Sequence, residues 1–139
     1  MKVLTINGSP HLHGCTYRAL QEVEKTLVEN GVQFERVNVG NKDIRGCMAC
    51  NFCREHGRCV FNDLVNETAP KFADADGIIV GTPTYFAGSN GQALAFLDRL
   101  FFSTARVFDR TMKVGAAVVS SRRGGSTSAF GAFCFYKFR

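Results

Sequence analysis

The chain has 139 residues, of which 45% are hydrophobic and 21% charged. That is one domain's length with an ordinary globular composition, which excludes a disordered or fibrous protein. No apolar run reaches the ~18 residues of a membrane span, and the apolar start before Gly8 is too short for a signal peptide, so a cytoplasmic chain is expected. The net charge is +5, and since the chain through Met112 is balanced, the whole excess comes from Lys113, Arg122, Arg123, Lys137 and Arg139. A basic end of this kind suits a polyanion partner or a basic loop beside a cofactor.

Lys2 to Asn7 is a short apolar run ending in Gly8-Ser9-Pro10, the pattern of a strand buried on both faces. A loop follows, and Thr16 to Asn30 carries Leu20, Val23, Leu27 and Val28 at helical spacing, with Gly31 as the stop. Val32 to Val39 alternates as a second strand, completing a strand–helix–strand unit. After a cysteine-rich segment, a helix is expected over Asp63 to Phe72 and a buried strand over Gly77 to Gly81. Thr82 to Gly91 reads as a loop, Gln92 to Ala105 as a helix and Lys113 to Ser120 as a fourth strand running into Ser121-Arg122-Arg123-Gly124-Gly125. Strands alternating with helices predict a parallel sheet covered on both faces. Ligands of such sheets bind at the carboxyl ends of the strands, where the Gly-, Ser- and Thr-rich loops fall.

Three of these loops are candidate binding segments. Gly8 to Thr16 leads hydroxyl-bearing residues into a helix start, which suits a phosphate; an ordinary turn with Thr16 as the helix cap is the plainer reading. It carries neither the Walker signature nor the dinucleotide fingerprint. His11 and His13 suit a phosphate or a metal, or are simply solvated. Thr82 to Gly91 offers Pro83, Tyr85 and Phe86 with several glycines, either a wall for a planar ring or a long turn with an aromatic anchor. Arg122 to Gly125 is either a contact for an anionic group or a solvated turn.

The most specific signal is Cys47, Cys50, Cys53 and Cys59, four of the six cysteines, spaced C-x2-C-x2-C-x5-C. Clustering of this kind in a reducing compartment favours metal ligation over disulfides. Compact runs of cysteines hold iron–sulfur clusters, zinc sites more often pair two knuckles across a longer gap, and four unmetallated thiols are the plain alternative. Arg54, His56 and Arg58 offset thiolate charge or are solvated, and Cys15 and Cys134 read as packing residues.

Taken together, Asn-Gly-Ser-Pro with Gly-Cys-Thr, the four cysteines, Gly-Thr-Pro-Thr-Tyr-Phe and Ser-Arg-Arg-Gly-Gly resemble the flavodoxin-like NAD(P)H-dependent FMN reductases, and within them the iron–sulfur flavoprotein branch. The resemblance runs over residues 1 to about 128 and implies a three-layer α/β/α fold with a parallel sheet of order 2-1-3-4-5. It implies one FMN-binding domain over 1–139, with a cysteine-rich insertion at about 46–60 and an atypical tail at about 129–139. It places the FMN phosphate on Ser9, His11, Gly14, Cys15 and Thr16, and the ring on Pro83, Thr84, Tyr85, Phe86, Ala87 and Gly88, with Arg123, Gly124 and Gly125 beside it. It assigns a [4Fe–4S] cluster to Cys47, Cys50, Cys53 and Cys59. The family often has Arg or Lys near His11 and Asn where this chain has Cys15, which implies a weaker phosphate site or one resting more on backbone.

The resemblance also implies NAD(P)H as co-substrate, an electron acceptor or carrier such as a ferredoxin, and a homodimer or homotetramer. No membrane partner is expected. The flavin carries the chemistry, so no catalytic side chain is named. The alternatives are a flavin and iron–sulfur electron carrier without nucleotide turnover and, less favoured, a nucleic-acid module built on the basic aromatic tail. That tail, Phe130 to Arg139, holds four phenylalanines and no acid, and Gly131 to Arg139 does not read as an amphipathic helix. A C-terminal strand and helix missing or altered, as in a truncated or frame-shifted end, are expected, with a partner subunit covering the exposed sheet edge.

Overall fold

Four parallel strands, one short hairpin strand and five helices make up the computed structural model, which describes residues 1–134 and Tyr136. β1 (Lys2–Asn7) lies between β2 (Gln33–Asn38) and β3 (Gly77–Tyr85), and β5 (Val114–Ser120) pairs with the far side of β3, all in parallel. The parallel order is therefore β2-β1-β3-β5, and a two-residue strand, β4 (Gly88–Ser89), folds back antiparallel on the end of β3. With helices on both faces this is a flavodoxin-like α/β fold. No helix is long and apolar enough to cross a membrane among the described residues.

Alternation along the strands divides the sheet into two faces. Leu4 and Ile6 of β1 and Ile78 and Val80 of β3 point to one side. There they pack against Val65 and Phe72 of α3 (Leu64–Asp74) and Phe96, Leu97 and Leu100 of α4 (Gly91–Thr104). Each such fully buried side chain contributes about 1.5–3 kcal/mol of apolar transfer. Asp63 caps α3 by accepting from Val65 N at 3.1 Å, and Asn90 caps α4 by accepting from Gln92 N at 2.8 Å.

The opposite face is covered by α1 (Cys15–Glu29), which buries Leu20 beneath Gly81. It also buries a carboxylate: Glu24, 3% exposed, accepts from Thr5 Oγ1 at 2.6 Å and from Nε and Nη2 of the Arg36 guanidinium. Arg36 in turn lies over the Tyr17 ring at 4.3 Å, which covers one face of the guanidinium.

Ser126–Cys134 forms a helix, α5, whose last four residues reach into the tail that does not read as amphipathic. Its apolar residues do not form one stripe: Ala129 is buried and Phe133 meets the core, while Phe130 is half exposed. Tyr136 packs on Phe101 at 4.9 Å and donates to Asp98 Oδ1 at 2.7 Å, and burial pushes its hydroxyl pKa up. No further parallel strand follows β5 among the described residues, and Val114, Gly115 and Ala116 are exposed. Phe135, Lys137, Phe138 and Arg139 lie outside the described residues, and with them the cationic end of the nucleic-acid reading. Cys15 and Cys134, expected in the packing, are both exposed.

Candidate functional site

Three loops leave the carboxyl ends of β1, β3 and β5 on the same side of the sheet and are tied to one another. The first is anchored where Gly8 N donates to Gly81 O at 2.7 Å. Its turn is organised internally: Ser9 N donates to Asn7 Oδ1 at 3.1 Å, His11 N to Ser9 Oγ at 3.1 Å and Gly14 N to His11 O at 3.3 Å. Gly40, after β2, is fitted against this loop so closely that a Cβ would stand 2.3 Å from Gly8 O.

Gly14, not Thr16, is the N-cap of α1, and no side chain caps its first amides. Thr16 is buried and shares a 2.6 Å hydrogen bond with Ser120 Oγ at the end of β5, clipping the first loop to the third. Ser9 is buried, Gly14 half-buried, and His11, His13 and Cys15 exposed.

The second loop is a hairpin. Tyr85 pairs with Gly88, and the two turn residues, Phe86 and Ala87, have φ of 48° and 67°. A two-residue hairpin of this hand usually takes Asn-Gly, so this turn is held in a conformation its side chains disfavour. The Phe86 ring is fully exposed, 108% of its reference area, and Tyr85 is half exposed. Both aromatics therefore stand at the site without packing into the protein. Thr84 Oγ1 is buried with no hydrogen-bond partner. Such a group is expensive to leave unsatisfied and points to a missing partner.

The third loop closes on the second. Gly125, at φ +92°, lies so near the hairpin that a Cβ there would stand 2.5 Å from Ala87 Cα and 2.8 Å from Thr84 Cγ2. Only glycine permits both the backbone conformation and the approach. Ser89 Oγ donates to Ala129 O at 3.2 Å, tying the hairpin to α5 as well. Arg123 and Gly124 are exposed beside this contact. The three predicted segments are thus one surface.

The cysteines form a second locus. Cys47, Cys50, Cys53 and Cys59 line one small pocket with Met48 and Phe102, on the side of α4. Cys53 starts the short helix α2 (Phe52–His56) with Phe52, an element the sequence pattern did not reveal. Asn51 and Gly57 flank it in the left-handed region, at φ 60° and 66°. Burial raises the Cys53 pKa, and the neighbouring Cys59, Cys47 and Cys50 add to the shift. Arg54, His56 and Arg58 are exposed; His56 stacks on Phe52 at 3.9 Å. No three His, Cys, Asp or Glu side chains are arranged to hold a single metal ion among the described residues.

Beneath this pocket lies a residue that the sequence reading missed. Arg99 of α4, 1% exposed, donates to Cys59 Sγ from Nε at 3.3 Å and from Nη2 at 3.2 Å. It also holds Asp63 with both Nη atoms, at 2.7 and 2.9 Å. Its burial pulls the pKa down, and the bonds to Asp63 and Cys59 outweigh that and keep the guanidinium charged. An arginine on the apolar face of a helix was the available signal.

An apolar cavity of about 340 Å³ lies elsewhere, between α5, α4 and the sheet, walled by Val80, Leu97, Phe101, Ala117 and Phe133. It sits against the body of β3 and β5, away from the three loops.

Comparison with known proteins places this architecture. The chain is 38% identical over 128 residues to an iron–sulfur flavoprotein of Methanocaldococcus jannaschii, covering 90% of this chain and 65% of that protein. It is 34% identical over 127 residues to an iron–sulfur flavoprotein of Methanosarcina thermophila, covering 90% and 66%. The chain thus spans about two thirds of the length of these relatives. Among solved structures, an NADH:FMN oxidoreductase in its apo form superposes with a TM-score of 0.66 at 24% identity, over 96% of this chain and 65% of that one. RosB, solved with a bound riboflavin-phosphate intermediate, gives 0.73 at 14% identity, over 98% and 58%. Likeness at these identities shows the shared fold. A family model described as NADPH-dependent FMN reductase matches residues 1–134, and the chain belongs to that family.

Proposed function

We propose that this protein is an FMN-dependent oxidoreductase that takes electrons from NAD(P)H and passes them to an acceptor, with the cysteine pocket holding a [4Fe–4S] cluster. The observation that carries the flavin part is the joined loop surface, with the orphaned Thr84 Oγ1 inside it and two unpacked aromatics at its rim. These residues fit FMN. The uncapped amides at the start of α1, with Ser9, His11, Gly14, Cys15 and Thr16, would hold the phosphate. Pro83 to Gly88 would line the ring, Thr84 Oγ1 would gain its missing partner, and Arg123 with Gly124 and Gly125 would meet the anionic edge. Bound FMN would supply hydride acceptance from a nicotinamide and electron release in one- or two-electron steps.

The chain's own contribution is binding, orientation and exclusion of water. The Gly125–Ala87 contact and the Thr16–Ser120 bond hold the loops together before any ligand arrives. Tyr85 and Phe86 would shield one side of a planar ring and position the nucleotide against it.

The cysteine pocket supports the second cofactor. Four cysteines lining one cavity, in the compact C-x2-C-x2-C-x5-C spacing, support a cluster over a tetrahedral zinc. A cluster there would exchange single electrons with an acceptor, a ferredoxin-like carrier being one. Self-association as a homodimer or homotetramer belongs to the same reading, supported by the exposed residues of β5 at the sheet edge. Steady-state oxidation of NADH and NADPH by the FMN-loaded protein, with an artificial acceptor, tests the activity. FMN-dependent turnover is expected, and no turnover with either nucleotide overturns it in favour of a simple carrier.

A further inference from the structure

We propose that Arg99 is a positioning residue for the cysteine site: its two N–H···S bonds hold Cys59 as a ligand and set the reduction potential of a cluster bound there. The inference rests on the cluster reading above and adds a residue outside the cysteine motif that governs it.

The argument begins with donor use. A guanidinium has five N–H groups and no acceptor. Arg99 makes five hydrogen bonds: two to Asp63, two to Cys59 Sγ and one, from Nη1 at 3.2 Å, to Arg45 O. All the donors of a side chain 1% exposed are therefore used. Directing two of them at a sulfur is a poor arrangement for a neutral thiol, which accepts weakly. It is a good one for a thiolate or a metal-bound sulfur, where charge-assisted bonds are about twice as strong.

The second strand of the argument is position. Arg45 O lies two residues before Cys47, and Cys59 is the last of the four cysteines. One side chain on α4 thus fastens both ends of the ligand segment to the core. Asp63, which fixes the guanidinium, is itself held as the N-cap of α3. The Phe61 ring lies 4.9 Å from the Arg99 guanidinium and closes its face. Asn66 Oδ1 accepts from Cys59 N at 2.9 Å and its Nδ2 donates to Cys59 O at 2.9 Å, which holds the Cys59 backbone from the α3 side.

Hydrogen bonds to ligand sulfurs and nearby charge are among the levers that set cluster potentials. Donation from Arg99 favours the more electron-rich, reduced cluster. Arg99→Lys keeps the charge, but three donors on one nitrogen cannot span sulfur, carboxylate and carbonyl. The reduction equilibrium should move about tenfold toward the oxidised form, roughly 59 mV for one electron. Asp63→Asn should move it the opposite way, because the guanidinium charge beside Cys59 is no longer offset, while Asn still caps α3.

The test uses the full chain, reconstituted without oxygen with iron, sulfide and FMN. Iron per chain, FMN binding and the cluster midpoint in a dye-mediated titration are measured for wild type, Arg99→Lys and Asp63→Asn. Shifts of opposite sign at equal iron content support the proposal, since a purely structural role moves both variants the same way or neither. Arg99→Lys that binds FMN normally but loses iron supports the holding role. If Arg99→Lys does not fold, judged by lost FMN binding, Asp63→Asn decides alone: an unchanged or lower midpoint overturns the proposal. Equal midpoints in all three overturn it and leave the cluster reading standing. A wild-type protein that takes up FMN but no iron overturns both.

Discussion

Gly125→Ala is the sharpest perturbation of the loop surface. The new Cβ would stand 2.5 Å from Ala87 Cα, 2.8 Å from Ala87 C and 2.8 Å from Thr84 Cγ2. Carbon atoms at rest stand about 3.5–4.0 Å apart, so the overlap approaches an ångström. Two of the three atoms are backbone, in a turn already at positive φ, and cannot step aside by changing a rotamer. Holding alanine at φ +92° adds about 1–3 kcal/mol, and displacing the turn adds a further 1–3 kcal/mol. A combined penalty of about 2–6 kcal/mol is expected. If the free loops relax and FMN binding restores them, the penalty falls on affinity, a loss of roughly 30- to 20,000-fold. If the loops stay in place, it falls on stability. Quenching of FMN fluorescence gives the affinity and urea unfolding of the apoprotein gives the stability, so their sum is measured whichever way it divides. Gly124→Ala is the control, because a Cβ there meets nothing within 4 Å. A Gly125→Ala protein with the affinity and stability of Gly124→Ala would refute the claim that these loops meet at Gly125.

Two stability predictions follow from the ion pairs. Glu24→Ala leaves the Arg36 guanidinium without its carboxylate at a site where the Glu24 side chain is 3% exposed and that of Arg36 16%. A loss of about 3 kcal/mol is expected in denaturant unfolding, whereas the double replacement Glu24→Met with Arg36→Met should recover most of it. Glu35 is held below its ordinary pKa of 4.5 by Lys71 at 2.7 Å and Lys2 at 3.2 Å. Its folded pKa is depressed, so its contribution is present above about pH 4.5 and lost as pH falls through the folded value. Glu35→Gln should therefore flatten the stability–pH curve below that point, and an unchanged slope would count against the pair.

Much of the fold was legible because its signals are local. The apolar runs of β1 and β3, the helical spacing of α1 and the Gly-rich strand ends each fall within one window of sequence. The three loops could be named separately for the same reason. Their mutual contacts could not be, since Thr16 meets Ser120 across 104 positions and Gly125 meets Ala87 through backbone geometry alone. α5 left no periodic signal to read, because Ala129, Phe130 and Phe133 surround its axis without forming one stripe. α2 has five residues and is set by the left-handed turns on either side of it. Arg99 was hidden in an apolar helix, with its partners Asp63 and Cys59 36 and 40 positions away.

Flavin binding at the joined loops is the claim on which the rest depends. The direct measurement is the absorbance spectrum of the protein after incubation with FMN without oxygen and separation from free cofactor. One flavin per chain, retained by the wild type, is the predicted result. A colourless wild-type protein after that separation would contradict it.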